Sequence, residues 1–232
     1  ESGAAKLSTD TQLSLLNGGQ GVSRGKIRIT DRFGSSAEVD LSKALTVNDV
    51  INAINSASPI NVTASIDGDG IKLVDNNTVV NTALSVADVG GSGTSASLGL
   101  NVAAVGDTIT GNAINTLGSA TQLAALNDGN GVHNTTGLAE FNITDNSGSY
   151  DINLDGVKTI QGLIDAIDTA SGGNVTASVS GTSLVLTGTG TVTVTALNSS
   201  SAASDLGILG SSGTGTLTGS RVLASLNSKL LK

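Results

Sequence analysis

Residues 46–75 read TVNDVINAINSASPINVTASIDGDGIKLVD, and residues 159–187 read TIQGLIDAIDTASGGNVTASVSGTSLVLT. Both stretches change period partway along. Val47, Val50, Ile51 and Ile54 fall at i, i+3, i+4 and i+7, one face of an amphipathic helix, and Ile160, Leu163, Ile164 and Ile167 repeat the spacing. Thr46 and Thr159 stand at the N-cap, where a hydroxyl accepts a bond from a free backbone N–H of the first turn. Beyond the helix the period drops to two: Val62, Ala64 and Ile66 alternate with polar residues, as do Val175, Ala177 and Val179. Turns at Gly68–Gly70 and Ser180–Thr182 return the chain as second strands, Ile71–Val74 and Leu184–Thr187. The reading is a helix followed by a β-hairpin, written twice and carrying no reactive group.

The repetition extends outward from this module. Thr11-Gln-Leu-x-x-Leu-Asn17 returns as Thr121-Gln-Leu-x-x-Leu-Asn127, 110 residues later. Thr30-Asp31 returns as Thr144-Asp145, and Leu98-Gly-Leu100 as Leu206-Gly-Ile208. The offset drifts by a few residues, so loops have changed length while the pattern is kept. The sequence therefore predicts an α+β fold of two tandem repeats, residues 1–117 and 118–232, each an antiparallel β-sheet covered by one main amphipathic helix.

Gly25-Lys-Ile-Arg-Ile-Thr30, followed by TVNDVINAIN and VTASIDGDGIKLVD, resembles the short motif repeated in bacterial flagellins and flagellar hook-associated proteins. Phe141-Asn-Ile-Thr144, with TIQGLIDAID and VTASVSGTSLVLT, resembles it equally. The motif covers about half of each repeat. The resemblance implies a structural, non-catalytic outer domain of a secreted axial filament component, located on the bacterial flagellum outside the cell. Its implied partners are other subunits of the filament or hook junction, engaged through parts of a longer protein outside this chain. A tandem surface adhesin module, binding a glycan or host protein through its loops, is the alternative.

Composition bounds these readings. Aromatic residues make up 1 % of the 232-residue chain and Trp and Met are absent, yet 38 % is apolar, so Val, Ile, Leu and Ala must fill the core. Such residues pack in defined rotamers and each contributes about 1.5–3 kcal/mol or less on burial. Thirty-one glycines against one proline predict many tight turns. The net charge of −8, with no basic cluster, argues against nucleic acid and against an anionic membrane surface. No apolar run approaches the roughly 18 residues of a membrane span. There is no cysteine, hence no disulfide and no thiol chemistry. Without long heptad runs the segment is expected to be monomeric.

In chain order, STDTQLSLLN (8–17) reads as a short helix ended by Gly18-Gly19. Lys26–Thr30 and Ala37–Leu41 form a hairpin around Phe33–Ser35, as do Leu138–Thr144 and Ser149–Leu154 around Asn146–Gly148. Further strands are expected at Ala83–Val89 and Thr191–Leu197, and helical turns at Ser97–Leu100 and Ser204–Ile208. Leu226–Leu231 reads as the start of a further linking helix (221–232), and ESGAAKL (1–7) as the tail of a preceding one, so the segment is expected to come from a longer array.

The residue types that carry chemistry are sparse and unmatched. GGQGVSRG (18–25) lacks the strand before, the helix after and the Gly-Lys-Ser/Thr of a phosphate loop. Asp67, Asp69 and Asp75 gather at the first hairpin, but a helix–loop–helix calcium site closes on a Glu at its twelfth position, and none stands there. They read as exposed turn carboxylates, and Asp10, Asp31 and Asp40 as turn or strand-edge residues. His133 is the lone histidine, too few for zinc and without a placed serine for a triad; Ser23 stands near the equivalent position. Asn-x-Ser/Thr triplets at Asn61, Asn134, Asn142, Asn174 and Asn198 arise by chance in so Asn- and Thr-rich a chain. No catalytic residue, cofactor site or metal site is expected.

Overall fold

The computed structural model describes residues 7–223, and they form an α+β protein. Among them are four helices and four antiparallel sheets. Contacts divide the chain into two compact units, with the division between Thr116 and Leu117. Each unit holds two sheets where one was expected.

In the first unit β1 (Lys26–Thr30) is the centre of a sheet, flanked by β2 (Ser36–Asp40) and β5 (Ser85–Val89). The alternation of KIRIT puts Ile27 and Ile29 inward, opposite Val39 and Ala37, while Lys26 and Arg28 face water. Helix α1 (Val47–Asn55) starts at Thr46 in a capping box. The Thr46 hydroxyl accepts the Asp49 N–H, and the Asp49 carboxylate accepts the N–H groups of Thr46 and Leu45 at 2.9 and 2.8 Å. Val47, Val50 and Ile54 are buried, and Ile51, at the flank of the stripe, is half-buried. At the helix end the Asn55 amide pairs with both backbone groups of Ala64, so a side chain acts as the next strand along β3 (Val62–Asp67). β3 pairs with β4 (Gly70–Asp75), and β4 with β6 (Thr108–Thr110). Between β5 and β6, α2 (Thr94–Ser97) makes one helical turn that leads into the fully buried Leu98 and Leu100.

In the second unit β7 (Phe141–Asp145) lies between β8 (Gly148–Ile152) and β11 (Val192–Ala196), with β12 (Gly210–Ser212) at the edge. Helix α3 (Ile160–Ser171) is capped by the Thr159 hydroxyl, which accepts the Gly162 N–H at 3.1 Å. It buries Ile160, Leu163 and Ile167. Gly172, left-handed at φ 59°, ends it, a conformation glycine adopts without a Cβ penalty. The buried Ser171 hydroxyl then bonds both backbone groups of Val175, joining helix to strand. β9 (Thr176–Ser180), β10 (Ser183–Thr187) and β13 (Thr216–Arg221) form the second sheet, with α4 (Ala202–Asp205) between β11 and β12.

Both units close in one manner. The Leu7 N–H bonds the Gly68 carbonyl and the Ile114 N–H bonds that of Asp69, consecutive residues of the β3–β4 turn. The Leu117 and Val222 N–H groups bond Gly181 and Thr182 of the β9–β10 turn.

Three expectations need correction besides the sheet number. The helix expected over residues 8–17 is instead a pair of single 3₁₀ turns, Leu13–Leu15 and Asn17–Gly19, because Leu16 between them is extended at φ −73°, ψ 171°. That break buries Leu13 and Leu16 together and lets Gln12 pair with Thr46. The helix expected from 221 does not begin there: Arg221 ends β13, Val222 is buried, and residues 224–232 lie outside the described residues, as do 1–6 of the expected preceding helix. β6, β12 and β13 lie where loop or helix was expected. Two of them have three residues, too few for a period to show.

Candidate functional site

The most enclosed polar cluster of the first unit surrounds Asp31 and Asp75, which are 1 % and 2 % exposed. Asp31 follows the last residue of β1, and its carboxylate folds back over the hairpin. It accepts N–H groups of Gly34 and Ser35 at 3.0 and 2.8 Å on one oxygen, and that of Asn61 at 3.1 Å on the other. Asp75 ends β4 and accepts backbone N–H groups of Asn77, at 2.7 Å, and Arg32. The Arg32 guanidinium lies beside it, Nε to Oδ1 3.8 Å, and donates to the Asn77 carbonyl at 2.7 Å. Burial pushes the Asp31 carboxyl up, but the N–H groups of Asn61, Ser35 and Gly34 and the Asn77 side chain outweigh it and hold the pKa below its ordinary value. Every oxygen of the two carboxylates accepts a backbone N–H, so the cluster fastens strand ends.

The carboxylates expected to sit exposed at the first hairpin are therefore split. Asp75 is buried in this cluster, a correction made by its burial at the base of the hairpin rather than its tip. Asp67 is exposed, and Asp69 bonds the Asn115 amide at 3.2 Å. Among the described residues no three His, Cys, Asp or Glu side chains gather as a metal site would require.

In the second unit Asp145, at the end of β7, accepts N–H groups of Ser147 and Gly148 on one oxygen. On the other it accepts the Thr189 N–H and hydroxyl at 2.9 and 3.0 Å. The Thr189 N–H is the largest cause holding its pKa low. Gly188 leaves the space: a Cβ there would meet the Asp145 carboxylate at 2.9 Å. Glu140, fully buried at the head of β7, accepts the Thr135 N–H on one oxygen, and its other oxygen has no partner.

His133 lies against α4. Its Nδ1 is 2.8 Å from Asp205 Oδ2, and its backbone N–H donates to the same oxygen at 3.0 Å. The Ser201 hydroxyl also donates to that oxygen, at 3.0 Å. A triad places the imidazole between hydroxyl and carboxylate; here the carboxylate lies between imidazole and hydroxyl, so the imidazole does not reach the Ser201 hydroxyl as a base. Ser23, paired with His133 by sequence, donates its N–H to the Ser97 hydroxyl at 3.0 Å.

The Gly-rich turns position one asparagine each. Asn17 donates from Nδ2 to the carbonyls of Gly21 and Ser97, both at 2.8 Å. Asn127 donates to those of Gly131 and Asp205, at 2.9 and 2.8 Å. A groove of about 340 Å³ lies along the second turn, lined by Leu123, Asn130, Val132, Asn134, Leu154 and Lys158 among others. Of the Asn-x-Ser/Thr asparagines named above, Asn142, Asn174 and Asn198 spend their side-chain amides on Asp151 and on the carbonyls of Ser171 and Ala139, while Asn61 and Asn134 are exposed; a sixth, Asn76 of Asn76-Asn-Thr78, donates to the Thr63 hydroxyl at 2.9 Å.

Sequence reasoning missed the buried Asp31–Asp75 cluster and Glu140. The available signal was an Asp directly after a strand with Gly three residues on, the pattern by which Asp31 and Gly34 close their turn.

Compared with known proteins, the chain matches no family model, no curated protein and no solved structure. No helix of the described residues is long and apolar enough to cross a membrane.

Proposed function

We propose that the two units are copies of one module and that the chain is a non-catalytic, surface-projecting part of a bacterial flagellar filament or hook-associated protein. The observation that carries the reading is the pairing of Asn17 with Asn127. Each lies in the left-handed region and each donates two bonds from Nδ2, one within its turn and one to a short helix about 80 residues downstream. The backbone N–H of each bonds the outgoing segment of its unit, at Ile114 and Val222. Thr46 and Thr159 cap the helices alike, and Asp31 and Asp145 close the first hairpins alike. What the units share is scaffold, and what would be reactive is not shared: His133 and Asp205 correspond to Ser23 and Ser97. The likeness to flagellin and hook-associated motifs carries the assignment to the flagellum.

The test is immunogold labelling of intact cells with antibodies against this chain, beside a strain lacking these residues in frame. Label along filaments or at the hook junction, with filaments still assembled in the deletion strain, is the expected result. Label confined to the cell wall, with lost adhesion to glycan or host protein, would establish the adhesin reading instead.

A further inference from the structure

The loop after each Gly-rich turn is tied to its short helix, and the two ties differ in chemistry. In the first unit a hydroxyl is the acceptor, Ser97 Oγ for the Ser23 N–H. In the second a carboxylate oxygen of Asp205 takes the His133 N–H, the His133 imidazole and the Ser201 hydroxyl together. The residues next to His133, Val132 and Asn134, line the groove of about 340 Å³.

We propose that His133 and Asp205 form a pH-dependent latch, which tightens this loop against α4 as the imidazole gains its proton and loosens it, with the wall of the groove, as the proton leaves. The charged groups around the loop are few. Asp205 faces His133 from α4, and the charge of His133 bears on that carboxylate's ionisation. Glu140, from the head of β7, and Asp155, after β8, hold the far end through the N–H groups of Thr135 and Gly137. Lys158 stands on the groove wall. The sign follows from the two ionisations. Burial pushes Asp205 up, but His133 and Ser201 outweigh it and hold its pKa low, so it is a carboxylate throughout the histidine range. Protonation of the imidazole therefore creates an imidazolium–carboxylate pair, and loss of that proton leaves a neutral hydrogen bond. The first unit has serines, Ser23 and Ser97, where His133 and Asp205 stand, and supplies the reference.

The test is amide hydrogen exchange on the full chain near about pH 5.5 and 7.5, corrected for intrinsic rates. Protection over Val132–Asn134, relative to Val22–Arg24 in the first unit, is expected to be about threefold greater at the lower pH. His133→Ser alone, and His133→Ser with Asp205→Ser, which installs the first unit's residues, should each abolish the difference while the reference loop is unchanged. An equal ratio at both pH values in the native chain would overturn the proposal, and so would a pH response that persists in His133→Ser.

Discussion

Asn17 and Asn127 sit at φ 51° and 53°, where a residue with a Cβ rests only if something holds it. Asparagine tolerates the region and turns its amide to use, each Nδ2 spanning from its own turn to a distant helix. Asn17→Ala is expected to cost about 2–3 kcal/mol, two bonds plus left-handed strain, and Asn17→Gly about 1–2 kcal/mol, the bonds alone. Denaturant midpoints check this, and an Asn17→Gly protein as stable as the native one would show that the amide bonds contribute nothing. Asp31 makes a second case. Asp31→Ala strands the backbone donors of Ser35 and Asn61, while that of Gly34 keeps the carbonyl of residue 31, and is expected to destabilise by about 2 kcal/mol. Because its folded pKa is depressed, its ionised form stabilises the protein above the unfolded value of about 3.9, and this is lost as pH falls through the folded value. Asp31→Asn should therefore flatten the stability–pH curve below about pH 4, measured by thermal melting across that range.

At the scale of elements, what could be read in advance tracks how strongly a segment repeats its own period. α1 and α3, with four apolar positions each at helical spacing behind a threonine cap, stand where the spacing places them. The hairpins β1–β2, β3–β4, β7–β8 and β9–β10 do too, because alternation and turn residues coincide. β6 and β12 were illegible, since TIT and GSS are too short to show a period and pair only because a neighbour offers its edge. STDTQLSLLN misleads in the other direction: its leucines have helical spacing, yet backbone bonds from Leu13 to Leu45 and from Val47 to Thr11 make the segment a partner of the α1 cap. The turn at Asp31 and Gly34 carried a local signal, but the meeting of Asp31 with Asp75 could not be read, because they stand 44 residues apart and meet only through the fold. The caps offer a comparison between units. Thr46→Ala removes half of a reciprocal pair and Thr159→Ala a single bond, so losses of about 1–2 and about 0.5–1 kcal/mol are expected from thermal melting. Equal losses would show that the return bond from Asp49 adds nothing.

For the whole molecule, each unit has its own apolar core: Ile27, Val50, Ile71 and Leu98 in one, and Leu163, Leu184 and Leu206 around the aromatic Phe141 in the other, where aliphatic residues alone were expected. Units of about 110 residues with separate interiors are large enough to fold alone. Residues 117–223 expressed by themselves are expected to melt cooperatively and to keep the amide spectrum they show in the full chain. A collapsed spectrum would mean that one unit depends on the other. The bonds from Leu7 to Gly68 and from Ile114 to Asp69, and those from Leu117 to Gly181 and Val222 to Thr182, have a mechanical meaning. A segment arriving and a segment departing at neighbouring carbonyls leave almost no net displacement across the unit. Such a unit can be spliced into a host's surface loop, or deleted from it, without stretching or re-aiming what flanks it. A pull on its two ends is met first by the bonds at that turn.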